Sequence, residues 1–302
     1  MCTVLVGRRN VAAAGSLRYA AAMSGIPQVV LADGARVSAL GLGTWRMGER
    51  ADARRDEVAA LRRGFDLGVS LVDTAEMYAD GGSEEVVGEA IAGRRDEVFV
   101  VSKVYPHRAG RRAAIAACEA SLARLAIERI DLYLLHWRGG VPLAETVEAF
   151  ERLRRDGKIA RWGVSNFDVG DLDELAAVPG GPACAANQVL YHLAERGIER
   201  GAMPRCRAWP MPVMAYSPFD EGRLLHRDDL RAIAREAGTS AAALALAWLI
   251  SHDDVIAVPK AARVEHVNMI AAAARFRLTP EAVAALDRAF PAPRKRTPLA
   301  MI

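Results

Sequence analysis

Eight short apolar runs alternate with eight helix-period stretches along most of this chain, and this alternation limits the folds open to it. The apolar runs, which we interpret as buried strands, cover 37–43, 70–73, 97–104, 130–136, 159–164, 183–189, 212–216 and 255–259. The helix-period stretches cover 52–68, 83–93, 111–126, 142–157, 168–177, 197–208, 227–251 and 264–276. Eight strand–helix units in about 250 residues suit a closed (β/α)8 barrel better than an open doubly wound sheet. The sequence therefore predicts an α/β protein with the TIM-barrel fold.

Three further segments lie outside the eight units. A hairpin with an Asp33-Gly34 turn is predicted at 29–37, on the floor of the barrel, and an extra helix is predicted at 279–290. Residues 1–25 are basic and contain no acidic residue, and we predict a disordered or non-native extension there. Residues 26–302 then form one barrel domain. A twin-arginine export signal at Arg8-Arg9 is the alternative, but the apolar run that follows it is short.

Composition narrows the classes of partner. The 302 residues are 52% hydrophobic and 25% charged, which is typical of a soluble globular enzyme. The net charge of +3 is too close to neutral to favour nucleic acid, and no stretch approaches the roughly 18 apolar residues of a membrane span. Four cysteines without C-x-x-C spacing indicate a reducing compartment and no metal site. We expect a cytoplasmic protein that binds neither nucleic acid nor membrane.

Polar side chains follow the apolar runs at the point where each strand ends. They are Asp73, Lys103, His136, Ser165-Asn166, Gln188, Tyr216-Ser217 and Lys260. Burying such groups unpaired inside a barrel would cost several kcal/mol each. The carboxyl ends of barrel strands, by contrast, form the open face where barrel enzymes build their sites. We therefore expect these residues to share one functional site.

The residue types in this set are suited to proton transfer. Lysine is rare in the chain, with four lysines against 36 arginines, yet Lys103 ends a strand. Its ammonium group would lower the pKa of the Tyr78 phenol, and Asp73 would keep the ammonium charged. His136 could hydrogen-bond a carbonyl oxygen and orient it toward the tyrosine. These side chains can protonate an alkoxide, but the hydride must come from a bound nicotinamide.

Eight motifs in order carry a family resemblance. They are GLGTW at 41–45, VDTAEMY at 72–78, VSK at 101–103, LLHW at 134–137, GVSNF at 163–167, NQVLYH at 187–192, AYSPF at 215–219 and VPKA at 258–261. From about residue 29 onward the chain resembles an aldo-keto reductase. The resemblance implies a catalytic tetrad in which Tyr78 donates the proton; its members are Asp73, Tyr78, Lys103 and His136.

The resemblance also implies a cofactor site. The implied contacts are Gly43, Thr44, Trp45, Asp73, Ser165, Asn166, Gln188, Tyr216, Ser217, Phe219, Gly222, Arg223, Leu224, Lys260, Ala261, Arg263 and His266. The serine, asparagine and glutamine would hold the nicotinamide carboxamide, Tyr216 would stack on the ring, and the loop 217–224 would wrap the pyrophosphate. Lys260 would contact the 2′-phosphate, which favours NADPH over NADH. The family's polar adenine contacts are replaced here by Met269-Ile270.

Substrate identity depends on fewer residues. Trp45 and Trp137 should wall an apolar mouth, with Tyr78 and His136 at its polar end. These features and the short tail PAPRKRTPLAMI resemble the bacterial branch that reduces methylglyoxal and related small aldehydes, and we expect a monomer. Two alternatives stay open: a cofactor-binding regulatory subunit without significant turnover, and a barrel aldolase with Lys103 or Lys260 as Schiff base.

Overall fold

A computed structural model describes residues 25–302 of the chain. Two short strands, β1 (Gln28–Val30) and β2 (Arg36–Ser38), form an antiparallel hairpin. Gly34 lies in the turn between them at φ 84°, a left-handed conformation that glycine adopts readily. The predicted hairpin is confirmed. The extension predicted at 1–25 lies outside the described residues except for its last residue, and the division into extension and barrel domain stays a prediction.

Eight parallel strands follow one another around a nearly closed barrel in chain order. They are β3 (Gly41–Gly43), β4 (Leu71–Asp73), β5 (Phe99–Val104), β6 (Ile130–Leu135), β7 (Ile159–Ser165), β8 (Asn187–Leu190), β9 (Val213–Tyr216) and β10 (Val255–Val258). The barrel closes through bridges from Leu40 to Ala257 and from Gly43 to Lys260. A Cβ atom at Gly43 would lie 3.0 Å from the carbonyl oxygen of Val258, so a larger residue at this junction would require the backbone to shift. The predicted (β/α)8 fold is confirmed.

Helices cover the outer face of the barrel. In the described residues they are α1 (Arg54–Asp66), α2 (Gly82–Ile91), α3 (Arg111–Leu125), α4 (Leu143–Arg155), α5 (Val169–Ala177), α6 (Ala202–Ala208), α7 (Asp228–Glu236), α8 (Ala241–Ile250), α9 (Val264–Ala273) and α10 (Pro280–Ala289). Short 3₁₀ segments occur at Tyr78–Gly81, Arg95–Glu97, Pro106–Arg108, Gly181–Ala183, Gly197–Arg200 and Asp220–His226. Because helices cover one face and the packed interior the other, β5 and β6 are buried along their whole length.

Three predicted elements differ from the structure. The stretch 227–251 forms two helices, α7 and α8, bent by 84°, because Gly238 adopts a left-handed φ of 69° between them. The stretch 37–43 is divided between the hairpin strand β2 and the barrel strand β3. The stretch 197–208 begins as a 3₁₀ segment and becomes α6 only after Gly201.

No single helix within residues 25–302 is long and apolar enough to cross a membrane. The consecutive helices α7 and α8 meet the length and composition of a span only when they are taken together, despite the bend. Every residue from Ala243 to Ile250 in α8 is buried in the protein core.

Candidate active site

The four residues predicted to form a catalytic tetrad meet at the carboxyl end of the barrel. Asp73 ends β4, Lys103 is the penultimate residue of β5, and His136 directly follows β6. Tyr78 lies in the turn after β4 and leans back over the barrel mouth. The neighbouring strands β4, β5 and β6 are in parallel register, so their polar ends come together at one edge.

Lys103 is the centre of this cluster. Its side chain is fully buried. The Nζ atom donates to Oδ2 of Asp73 at 2.8 Å, to the backbone oxygen of Thr74 at 2.9 Å and to the hydroxyl oxygen of Tyr78 at 3.3 Å. An ammonium group has three N–H donors, and each of them has a partner here. The amine is therefore fixed beside the phenol, as the sequence predicted.

Burial and charge act in opposite directions on the pKa values in this cluster. Burial alone would lower the pKa of Lys103, but the charge of Asp73 and the contact with Tyr78 raise it above its ordinary value. Burial raises the pKa of Tyr78, and this effect outweighs the lowering by Lys103. The expectation of a lowered tyrosine pKa is therefore wrong in its net direction. Both groups stay protonated at neutral pH.

His136 is a neutral histidine. Burial, and then the charge of Lys103, lower its pKa to about 2. Its Nδ1 atom is buried without a hydrogen-bond partner. Since unpaired buried N–H donors are rarer than unpaired acceptors, this favours the tautomer that carries the proton on Nε2. The ring meets Tyr78 edge-on at 5.7 Å between centroids, and both side chains line the same cavity.

The depressed pKa of His136 predicts a loss of stability in acid. The unfolded chain binds a proton on this residue below a pH of about 6.5, whereas the folded chain does not. The free energy of unfolding should therefore fall with decreasing pH, by up to about 1.4 kcal/mol per pH unit for this group. In His136→Gln, urea unfolding at pH 7 and pH 5 should show a smaller decline than in the wild type. Equal declines in the wild type and in His136→Gln would contradict the lowered pKa of His136. The variant His107→Gln, at an exposed histidine, controls for the substitution itself.

The tetrad opens into a cavity of about 410 Å³. The predicted residues on its wall are Gly43, Thr44, Trp45, Asp73, Tyr78, His136, Trp137, Ser165, Asn166, Gln188, Tyr216, Ser217 and Lys260. Five lining residues were missed: Met77, Glu221, Val258, Met301 and Ile302. No sequence signal indicated that the last two residues of the tail reach the cavity.

Polar side chains that line this cavity are fixed by hydrogen bonds to other residues of the site. The hydroxyl of Ser165 donates to the backbone oxygen of Gln188 at 2.9 Å, and Oδ1 of Asn166 accepts the hydroxyl of Tyr216 at 2.9 Å. The Nε2 atom of Gln188 donates to Oδ1 of Asp73 at 2.7 Å. This arrangement offers the mixed donors and acceptors that a nicotinamide carboxamide needs, next to an aromatic ring on which the nicotinamide can stack. The residues present therefore fit the predicted cofactor.

A second cavity, of about 550 Å³, continues from the first and shares Trp45, Ser217, Glu221 and Lys260 with it. The predicted residues Phe219, Gly222 and His266 lie on its wall, as do Met269, Ile270 and the unpredicted Arg46. Its apolar wall agrees with the replacement of the family's polar adenine contacts. A path for an extended dinucleotide thus runs from the tetrad to Lys260.

Four predicted cofactor contacts are placed elsewhere in the described part of the chain. The guanidinium group of Arg223 pairs with Asp220 at 2.6 Å and Glu221 at 3.3 Å. Leu224 and Ala261 are 1% exposed and pack in the core. The fourth, Arg263, precedes α9 and lines neither cavity.

Among residues 25–302, no group of three or more His, Cys, Asp or Glu could hold a metal ion.

Comparisons with known proteins agree with this geometry. Residues 39–290 match the model of the Aldo/keto reductase family. The chain is 55% identical over 269 residues to methylglyoxal reductase YeaE of Escherichia coli strain K12, covering 87% of this chain and 95% of the relative. It is 32% identical over 262 residues to a glyoxal reductase of Bacillus subtilis strain 168, covering 86% and 91%. A crystal structure of an aldo/keto reductase from Klebsiella pneumoniae in complex with NADP and acetate is 52% identical and superposes with a TM-score of 0.89, covering 92% of this chain and all of that one.

Proposed function

This chain belongs to the aldo/keto reductase family of NADP-dependent oxidoreductases, and we propose that it reduces small 2-oxoaldehydes such as methylglyoxal, with Tyr78 as the proton donor. The observation that carries the proposal is the 3.3 Å contact between the Tyr78 hydroxyl and Nζ of Lys103, on the wall of a cavity that also presents His136. The name of the 55% identical relative supports the substrate class.

The side chains divide the reaction between them. When bound, NADPH supplies the hydride. The Nε2 proton of His136 holds the substrate carbonyl oxygen next to the Tyr78 hydroxyl, which protonates that oxygen as negative charge develops on it. Lys103 stabilises the phenolate that remains, and Asp73 keeps the amine charged and in place. The raised pKa of Tyr78 suits this role because the phenol is protonated at neutral pH, while an alkoxide is a much stronger base than a phenolate.

The shape of the cavity favours a small carbonyl compound. Its volume of about 410 Å³ must hold both the nicotinamide and the substrate. Trp45, Trp137, Met77 and Met301 give its lining a large apolar part, and Tyr78 and His136 supply polar groups for a carbonyl oxygen. Bulky ketones should therefore be excluded by the tail and the tryptophans.

A panel of carbonyl compounds tests the proposal. NADPH oxidation is followed by the change in absorbance, and kcat/KM should be highest for methylglyoxal and other 2-oxoaldehydes. Simple aldehydes should follow, and steroid-sized ketones should be the poorest substrates. No NADPH oxidation with any aldehyde would exclude the reductase, and a preference for bulky ketones would exclude the substrate class.

Cofactor selectivity should depend on Lys260. This residue lies at the junction of the two cavities, where its ammonium group can pair with the 2′-phosphate of NADPH. A charge-assisted hydrogen bond contributes about 1.5–3 kcal/mol, so Lys260→Ala should weaken NADPH binding about 10- to 100-fold. NADH binding should change little. Fluorescence titration with both nucleotides measures this, and equal losses for the two would assign the phosphate contact to another residue such as His266.

The two alternatives are less compatible with the site. A Schiff-base aldolase that uses Lys103 needs this lysine unprotonated, whereas its pKa is raised and its three N–H donors are all engaged. A Schiff base at Lys260 stays an alternative from the sequence. A regulatory subunit without turnover needs no proton donor beside a buried amine. A monomer that works in the cytoplasm stays a prediction from the sequence.

A further inference from the structure

The segment between β4 and Tyr78 contains a buried carboxylate with no part in the proposed chemistry. Glu76 is 5% exposed. Its Oε1 accepts the backbone N–H of Tyr105 at 2.8 Å, and its Oε2 accepts a proton of Arg108 Nη1 at 2.6 Å. Its own backbone N–H donates to the carbonyl oxygen of Lys103 at 3.3 Å. The segment that leads to Tyr78 is thus fastened to the chain around the end of β5.

The chain on the other side of Tyr78 is strained. Ala79 and Asp80 adopt left-handed φ values of 51° and 50°, and Gly81 follows at 92°. Non-glycine residues persist in this region only where their surroundings hold them. The turn after Tyr78 is therefore held by its surroundings, and the hydrogen bonds of Glu76 hold the segment that leads to Tyr78 from the other side.

We propose that Glu76 is a positioning residue for Tyr78: its two hydrogen bonds hold 74–78 against the end of β5 and keep the phenol oxygen 3.3 Å from Nζ of Lys103. The inference rests on the proposed function, in which Tyr78 is the proton donor. Glu76 lines neither cavity, so it touches neither substrate nor cofactor. Its effect on the reaction is exerted through the placement of the tyrosine.

The amino end of β5 provides a matched control. Asp131 is fully buried, and its Oδ2 accepts the backbone N–H of Val100 at 2.8 Å and a proton of Arg95 Nη2 at 2.7 Å. The same combination of a buried carboxylate, a backbone N–H and an arginine therefore occurs at both ends of one strand. Only the Glu76 group adjoins the segment that carries the proton donor.

The experiment compares Glu76→Ala with Asp131→Ala in the full chain. Both variants should lower Tm, and the concentration of folded sites is counted by NADPH binding. Per folded site, Glu76→Ala should lower kcat for methylglyoxal on the order of 10- to 100-fold, because a displacement of about 1 Å can reduce a rate that much. KM and NADPH affinity should stay unchanged. The solvent deuterium isotope effect on kcat should rise, since proton transfer becomes slower, whereas Asp131→Ala should leave kcat and the isotope effect unchanged.

A conservative variant distinguishes positioning from general damage. Glu76→Gln keeps an oxygen acceptor for the N–H of Tyr105, so it should recover most of kcat and the wild-type isotope effect. If Glu76→Ala does not fold, Arg108→Met removes the outer half of the arrangement instead. That variant should show a smaller loss of kcat together with a raised isotope effect.

Three outcomes are decisive. An unchanged isotope effect in Glu76→Ala, or in Arg108→Met where the first variant does not fold, overturns the positioning role. An equal rise of the isotope effect in Asp131→Ala also overturns the positioning role, because the effect would then come from any disturbance of β5. If the wild type does not reduce aldehydes, or if Tyr78→Phe keeps full activity, the proposed function itself fails. An active wild type with an inactive Tyr78→Phe therefore isolates the test of Glu76.

Discussion

We expect Tyr78→Phe to lower kcat for methylglyoxal reduction by about 10²- to 10⁴-fold, the range that a positioned general acid contributes. The substitution removes the hydroxyl that lies 3.3 Å from Nζ of Lys103 and keeps the ring whose centroid is 4.9 Å from the same atom. The predicted carboxamide contacts and Lys260 are untouched, so the Kd for NADPH should not change. Steady-state kinetics and fluorescence titration with NADPH separate the two quantities.

A second tyrosine provides the control for this substitution. Tyr133 lies in β6 and packs against Phe150 of α4, 5.5 Å away between ring centroids, on the helix side of the strand. Tyr133→Phe makes the same chemical deletion in the interior and should leave kcat unchanged. Equal losses of kcat in the two variants would mean that removal of a buried tyrosine hydroxyl damages the barrel in general. Full activity in Tyr78→Phe would remove this residue from the reaction.

The barrel could be predicted because its signal is both periodic and local. Each strand is an apolar run of a few residues, and glycines such as Gly157 stand at φ 75° where a helix ends. The errors occurred where periodicity cannot report a bend. The stretch 227–251 keeps one helical pattern across Gly238, although the chain turns there by 84°. The stretch 37–43 is largely apolar, and pairing with different partners divides it.

The site was predictable in its centre and less so at its edges. Residues at strand ends, such as Lys103 and His136, are placed by the sheet register, which the sequence specifies. Residues in loops are placed mainly by packing against other parts of the fold, which the sequence does not specify. Arg223 pairs locally with Asp220 and Glu221 and lines neither cavity, whereas Met301 reaches the mouth from the far end of the chain by long-range packing. The sign of the tyrosine pKa shift was missed for the same reason, because burial is a tertiary property.

Lys103→Met should be the most destabilising of the single substitutions considered. It leaves the carboxylate of Asp73, which is 4% exposed, without its cation, and only the amide of Gln188 at 2.7 Å remains bound to its side chain. Breaking a buried ion pair by removal of one partner costs about 3–5 kcal/mol. We expect urea unfolding at pH 7 to show a loss in this range. Reductase activity should be lost as well, since nothing then stabilises the phenolate of Tyr78.

The double variant Asp73→Asn, Lys103→Met separates stability from catalysis. Replacement of both partners removes the unpaired buried charge, so the free energy of unfolding should recover most of the loss seen in Lys103→Met. Activity should not recover, because the amine that faces the phenol is still missing. Lys158→Met, which breaks an ion pair with Glu119 at the surface, should cost no more than about 1 kcal/mol and leave kcat unchanged. Wild-type stability in Lys103→Met would show that the pair is not buried as described, and active double variants would place proton transfer outside this cluster.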